Sequence, residues 1–179
     1  MTVQLTSRVS LRLKKGVDGP STLAITRPDG SAAVQRVPDA FPVHDLTHYS
    51  VESALQLRES FLSLVGNGWE FDDFGAPWPR GPLPVEATWT EEVVGLFWQE
   101  RWPNGISRTL EELNQAVGVI AGKLREARTS HGAADPALLE RRLTEPEVEE
   151  VRRRLGALIA RWHALEAGGT LVLPFPPEG

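Results

Sequence analysis

An α+β fold is what this sequence predicts: a small antiparallel sheet, made of an N-terminal meander and a C-terminal strand, covered by a helix and accompanied by an antiparallel helical hairpin. Three observations carry that expectation. The first residues alternate polar and apolar between turn signals; two long stretches in the second half place apolar residues at alternating three- and four-residue steps; and the closing "TLVLPF" alternates again. Alternation marks a half-buried strand, and the three-to-four step marks an amphipathic helix. The length, 179 residues, suits one domain spanning 1–179.

The meander is expected over 1–38. Val3, Leu5, Val9, Leu11 and Leu13 fall on one side of its first strand, and Gln4, Thr6, Arg8, Ser10, Arg12 and Lys14 on the other. "KGVDGP" supplies a turn, Leu23 and Ile25 mark a second strand, and "RPDG" turns the chain into a third, "AAVQRV". In that second turn proline presets φ and glycine accepts a positive φ. Connections of hairpin length force antiparallel pairing, and so small a sheet needs a helix over its apolar face. That covering helix is expected over 42–68, where Leu46, Tyr49, Leu57, Phe61, Leu64 and Val65 recur near helical spacing and "GNG" closes the run.

Residues 69–88, "WEFDDFGAPWPRGPLPVEAT", are too rich in proline for a regular element. Loops of this length are commonly functional or packed by their own side chains. The part from 89 to 169 reads as helical. Thr88 or Thr90 is expected to cap a short helix with Val93, Val94, Leu96, Phe97 and Trp98, stopped by "PNG". Two seams follow: Leu110, Leu113, Val117, Ile120, Leu124 and Ala127, then Val148, Val151, Leu155, Leu158, Trp162 and Leu165. Thr109 with Glu112, and Thr144 with Glu147, have capping-box spacing; Pro146 suits a first turn, and Gly168-Gly169 a helix end. Joined by "SHGAADPALLERRL", the seams predict the hairpin, and a homodimer if they pair between chains. A return strand at 170–175 takes the sheet edge, where Pro174 is tolerated.

Composition narrows the function. With 41% hydrophobic and 24% charged residues this is a globular composition, and a net charge of -5 removes the electrostatic reason for a nucleic acid or an anionic membrane as partner. The absence of cysteine excludes disulfides, thiolate metal sites and a cysteine nucleophile. No apolar run has membrane-spanning length and the N-terminus lacks a signal-peptide h-region, so a cytoplasmic location is expected. Arginine far outnumbers lysine, as in chains from GC-rich bacterial genomes.

The chemistry centres on "FPVHDLTHYSVE". His44 and His48 are four apart, so on a helix both imidazoles can face one cation. The spacing is that of H-E-x-x-H with Asp45 in the place of the glutamate, a departure that shortens the base by a methylene. His44 and Glu52 stand about 12 Å apart along a helix, at ~1.5 Å per residue, too far to close on one ion. A metal site would use His44–His48 or His48–Glu52, completed from elsewhere, with Asp45 or Glu52 orienting an imidazole or acting as base. His131, His163 and the loop acids Glu70, Asp72 and Asp73 are the candidates to complete it. The competing reading, and the one preferred, is structural. Pro42 disfavours helical geometry at Phe41, so Asp45 would N-cap a helix starting just after it, leaving His44 outside.

"PVHDLTHYSVE" and the closing "LVLPF" together resemble a group of uncharacterised bacterial proteins that share an H-D-L-x-H segment. The resemblance implies no activity.

Elsewhere, "VRRRLGALIARW" flanked by "EPEVEE" reads as a solvated face with i,i+4 pairs. Neither "GNG" nor "PNG" has phosphate-loop form, and no G-x-S-x-G elbow is present. Trp69, Asp72, Asp73 and Trp78 are the candidate ligand or partner surface. The expected function is a non-catalytic binding or accessory role towards a protein or small molecule. The alternative is a metal-dependent hydrolase on His44 and His48, with a divalent metal as cofactor, so whether the protein is an enzyme stays open.

Overall fold

The computed structural model describes residues 8–38, 41–127 and 136–176. Val3 and Leu5 of the expected first strand, and His131, lie outside the described residues. Strands β1 (Val9–Lys14), β2 (Ser21–Thr26) and β3 (Ala32–Val37) form the meander, and β4 (Thr170–Phe175) returns against β1. The order is β3-β2-β1-β4, antiparallel throughout. In register, Leu11 faces Ile25 and Leu173, and Leu13 faces Leu23 and Leu171. These residues are buried on one face, while Arg12, Lys14, Val34 and Val172 point to solvent. One alternating pattern therefore defines both register and facing. β4 is an edge strand, as its proline requires, and the Pro174 carbonyl accepts a hydrogen bond from the Tyr49 hydroxyl at 2.8 Å.

The helices are α1 (Phe41–Leu55), α2 (Phe61–Gly66), α3 (Val85–Gln99), α4 (Leu110–Ala127), α5 (Pro136–Glu140) and α6 (Glu145–Ala164), with a 3-10 turn at Phe71–Phe74. The structure is thus α+β, a small antiparallel sheet with helices against its apolar face. Two apolar clusters share α1. Leu46 and Tyr49 join the sheet, Leu62 and the α6 residues Leu155, Leu158 and Trp162. Val51 and Leu55 join Trp89, Val93 and Phe97 of α3, Leu113 and Val117 of α4, and Val148 and Val151 of α6. With apolar layers on both sides, every residue of α1 from Asp45 to Glu52 is buried. Its polar side chains must then find partners within the protein.

Four boundaries differ from expectation. α1 starts at Phe41, which puts Pro42 in the first turn; its missing N–H is one the helix would leave unpaired anyway, and its fixed φ suits the position. Asp45 therefore lies inside the helix and is not its N-cap, and His44 is helical. The segment 42–68 is two helices, because Gln56 adopts φ 54°, outside the helical range, and ends α1 at Leu55. "GNG" closes only the second. α3 begins after Pro84, so Thr88 and Thr90 are not caps; the Thr90 hydroxyl donates to the Glu86 carbonyl at 2.7 Å inside the helix.

Both capping boxes form, Thr109 with Glu112 and Thr144 with Glu147. Most of both seams is buried within the chain, with Leu110, Leu124 and Leu165 half-buried and Ala127 exposed: α6 lies mainly on α1 and the sheet, α4 mainly on α3 and α5. Arg153 and Arg154 both bind Glu150 on their own helix, as the charge pattern predicts. Arg152 instead crosses to Glu100, just beyond α3, at 2.7 and 3.0 Å. No described helix is long and apolar enough to cross a membrane.

Candidate metal centre

α1 and α3 pack against each other, and three side chains converge at their contact. His44 and His48 lie one turn apart on α1, and Glu91 projects from the second turn of α3. The Glu91 carboxylate stands 3.0 Å from Nε2 of His48 and 3.4 Å from Nε2 of His44. One donor atom from each residue lies within 4.8 Å of the others, so the trio could hold a metal ion. Donors bound at ~2.0–2.2 Å in a tetrahedral shell sit about 3.4 Å apart, near the two histidine–carboxylate separations, each of which runs to a different Glu91 oxygen. The set, two imidazoles and a carboxylate, is one that transition metals take in open, reactive sites.

Behind the donors lies a second layer of carboxylates. Nδ1 of His48 meets Oε1 of Glu52 at 3.0 Å, with the two side chains 3% and 0% exposed. The other Glu52 oxygen accepts the Ser60 hydroxyl and, at 2.9 Å, the Leu62 amide at the start of α2. Glu52 is thus held from three directions and fixes the His48 ring so that Nε2 points at Glu91. An imidazole whose far nitrogen is held by a carboxylate is the usual setting of a metal-bound histidine. His44 has a looser counterpart: its Nδ1 is 4.0 Å from Oδ1 of buried Asp45, whose Oδ2 has no hydrogen-bond partner among the described residues. Burial raises the Asp45 carboxyl above the ordinary carboxylate range.

Protonation follows the same geometry. Burial favours the neutral form of His48, but hydrogen bonds and charge from Glu52 and Glu91 outweigh it and push its pKa up to about 10. His44 is also raised, burial again opposing the Asp45 and Glu91 carboxylates that prevail. Hydrogen bonds from His44 and then His48 hold the Glu91 carboxyl far below its usual range. Without a metal, the centre is a protonated histidine between two carboxylates; a divalent cation would replace that proton.

The remaining candidates sit elsewhere. Glu70 and Asp73 do not complete the shell: Asp73 accepts the Glu70 amide at 2.7 Å and Arg80 at 2.6 Å, while Glu70 binds Arg27 at 2.8 Å. Asp72 is exposed in the 3-10 turn, and His163 is exposed near the end of α6. Trp69 packs on Phe74 with the Arg80 guanidinium over its ring, whereas Trp78 is 44% exposed. Glu91 was missed by sequence reasoning, and no spacing rule would have found it. Its signal is weak, an acid on the helix face that carries Trp98 two turns later. No protein-family model matches this chain, and neither the curated proteins nor the solved structures compared with it include a match.

Proposed function

We propose that the protein binds one divalent transition-metal ion through Nε2 of His44, Nε2 of His48 and the Glu91 carboxylate, and that it uses the ion for metal-assisted hydrolysis. The observation that carries the reading is the buried Glu52, spent on Nδ1 of a buried histidine whose other nitrogen faces two further donors. Three protein donors leave coordination positions for water and a substrate oxygen. A bound ion there would lower the pKa of such a water towards neutrality. Glu91, whose side chain is 61% exposed, marks the side from which a substrate would approach.

Elemental analysis of untagged protein incubated with zinc, cobalt, iron or manganese tests the reading. One equivalent of metal, lost in His48→Ala and in Glu91→Ala, is expected; no retained metal from any of the four overturns it. A second reading keeps the centre metal-free. The 3.0 Å separation of His48 Nε2 and Glu91 is also that of a charge-assisted hydrogen bond. Protonated His48 would then clamp α1 to α3 in a non-catalytic binding module with exposed Trp78 in its contact surface. Thermal unfolding insensitive to both zinc and chelator favours that reading.

A further inference from the structure

We infer that the centre takes ligands carrying a compact aromatic group next to an oxygen-donor head, the ring lying along the α1–α3 seam beside His44. This rests on the metal-binding reading and adds a ligand class to it.

The register of the two helices brings aromatic rings to the donors. Phe41, His44 and His48 form one stripe of α1, and Glu91, Gly95 and Trp98 one stripe of α3. His48 meets Glu91, while His44 meets both Glu91 and Trp98, the latter ring edge-on at 4.9 Å. The stripes therefore run antiparallel, and the N-terminal end of α1 lies beside the C-terminal end of α3. At that end the Phe41 ring is 5.7 Å from His44, and Trp102 continues from Trp98 at 5.6 Å. Phe41 is 44% exposed and Trp102 51%. On the opposite side His48 is buried against Phe61, so ligands reach the donors past Phe41 and Trp98.

Gly95 supplies the space. On the stripe it lies one turn after Glu91 and just before Trp98, and a Cβ placed on it would meet nothing within 4 Å. Glycine inside a helix is costly relative to alanine, and here it makes no close backbone contact that would require it. What it leaves is open room between a proposed ligand carboxylate and an indole. Aromatic rings in offset or edge-to-face contact select another ring over an aliphatic group of similar size.

The test measures benzohydroxamate against cyclohexanecarbohydroxamate, its saturated counterpart of similar size, on zinc-loaded protein, after metal content has been established for each variant. In the unaltered protein the aryl probe should bind more tightly on the order of tenfold. Gly95→Leu, which fills the space, should bring the ratio near unity with one equivalent of metal retained. Gly95→Ala, favourable to the helix, should keep the preference, and Trp98→Ala should weaken it. Equal affinities in the unaltered protein overturn the inference while leaving the metal reading intact, as does a preference that survives both Gly95→Leu and Trp98→Ala. Failure to take up metal removes the underlying reading, and this inference with it, before any probe is added.

Discussion

Replacing Glu52 by alanine and by glutamine should separate its two tasks, holding the fold and aiming His48. The side chain is fully buried and binds Nδ1 of His48 at 3.0 Å, the Ser60 hydroxyl and the Leu62 amide at 2.9 Å. Alanine leaves Nδ1 of buried His48, the buried Ser60 hydroxyl and the Leu62 amide without their acceptor, while Nε2 of His48 keeps Glu91. Breaking such a pair costs roughly 3–5 kcal/mol, and loss of the His48 proton relieves part of it, so about 4 kcal/mol is expected. Against a total stability of about 5–15 kcal/mol the variant is folded but marginal.

Glutamine keeps the volume. Ser60 and Leu62 both donate to one oxygen, so the amide oxygen must stay there and the amide nitrogen must face His48. Nδ1 then accepts, the ring proton moves to Nε2, and the nitrogen meant for the metal is blocked. Glu52→Gln should therefore cost only about 1–2 kcal/mol in urea unfolding yet weaken zinc binding about 10–100-fold. Competition with a chromophoric chelator reads the affinity, and imidazole nitrogen shifts read the tautomer. Zinc affinity unchanged in Glu52→Gln would refute the reasoning.

Three further outcomes are expected. In the metal-free protein His48 titrates at about 10, above its unfolded value of about 6.5, so its contribution to stability is complete below about 6.5 and is lost as pH rises through 10. Glu91, held below its usual range, contributes above about 4.5 and loses this as pH falls. Calorimetric melting of metal-free protein should decline on the alkaline side, while zinc, having displaced the proton, should remove the decline; a flat metal-free profile contradicts this. Asp73→Ala should cost about 1 kcal/mol through loss of the Glu70 amide and Arg80 bonds, with metal stoichiometry unchanged, since this loop acid is not a ligand. Glu100→Ala should cost about 2 kcal/mol in urea unfolding because Arg152 and the Arg108 amide both bind it, with Arg152 still able to reach water.

Much of the scaffold was legible because it depends on period and punctuation. The meander, its facing, the two capping boxes and the edge placement of β4 each follow from residues close together in the chain. The covering helix was misjudged where two local rules compete. The bias before proline argued against a helical Phe41, yet proline in a first turn is well tolerated, and packing on both sides of α1 decided the matter. Its break at Gln56 lacks a glycine or proline and depends on Glu52 turning to Ser60 and Leu62 across the gap. In the centre, the shared face of His44 and His48 was legible from a spacing of four. So was the reach of Glu52 to His48, although its use is to hold Nδ1. Glu91 was not, because only the packing of α3 on α1 brings it there.

Anomalous diffraction at the zinc edge, from crystals grown with zinc, tests the central claim most directly. The expected result is one strong peak per chain, about 2 Å from Nε2 of His44, Nε2 of His48 and a Glu91 oxygen, with Glu52 still on Nδ1 of His48. Density for Nε2 of His48 bonded directly to Glu91, with no anomalous peak between them, would contradict it.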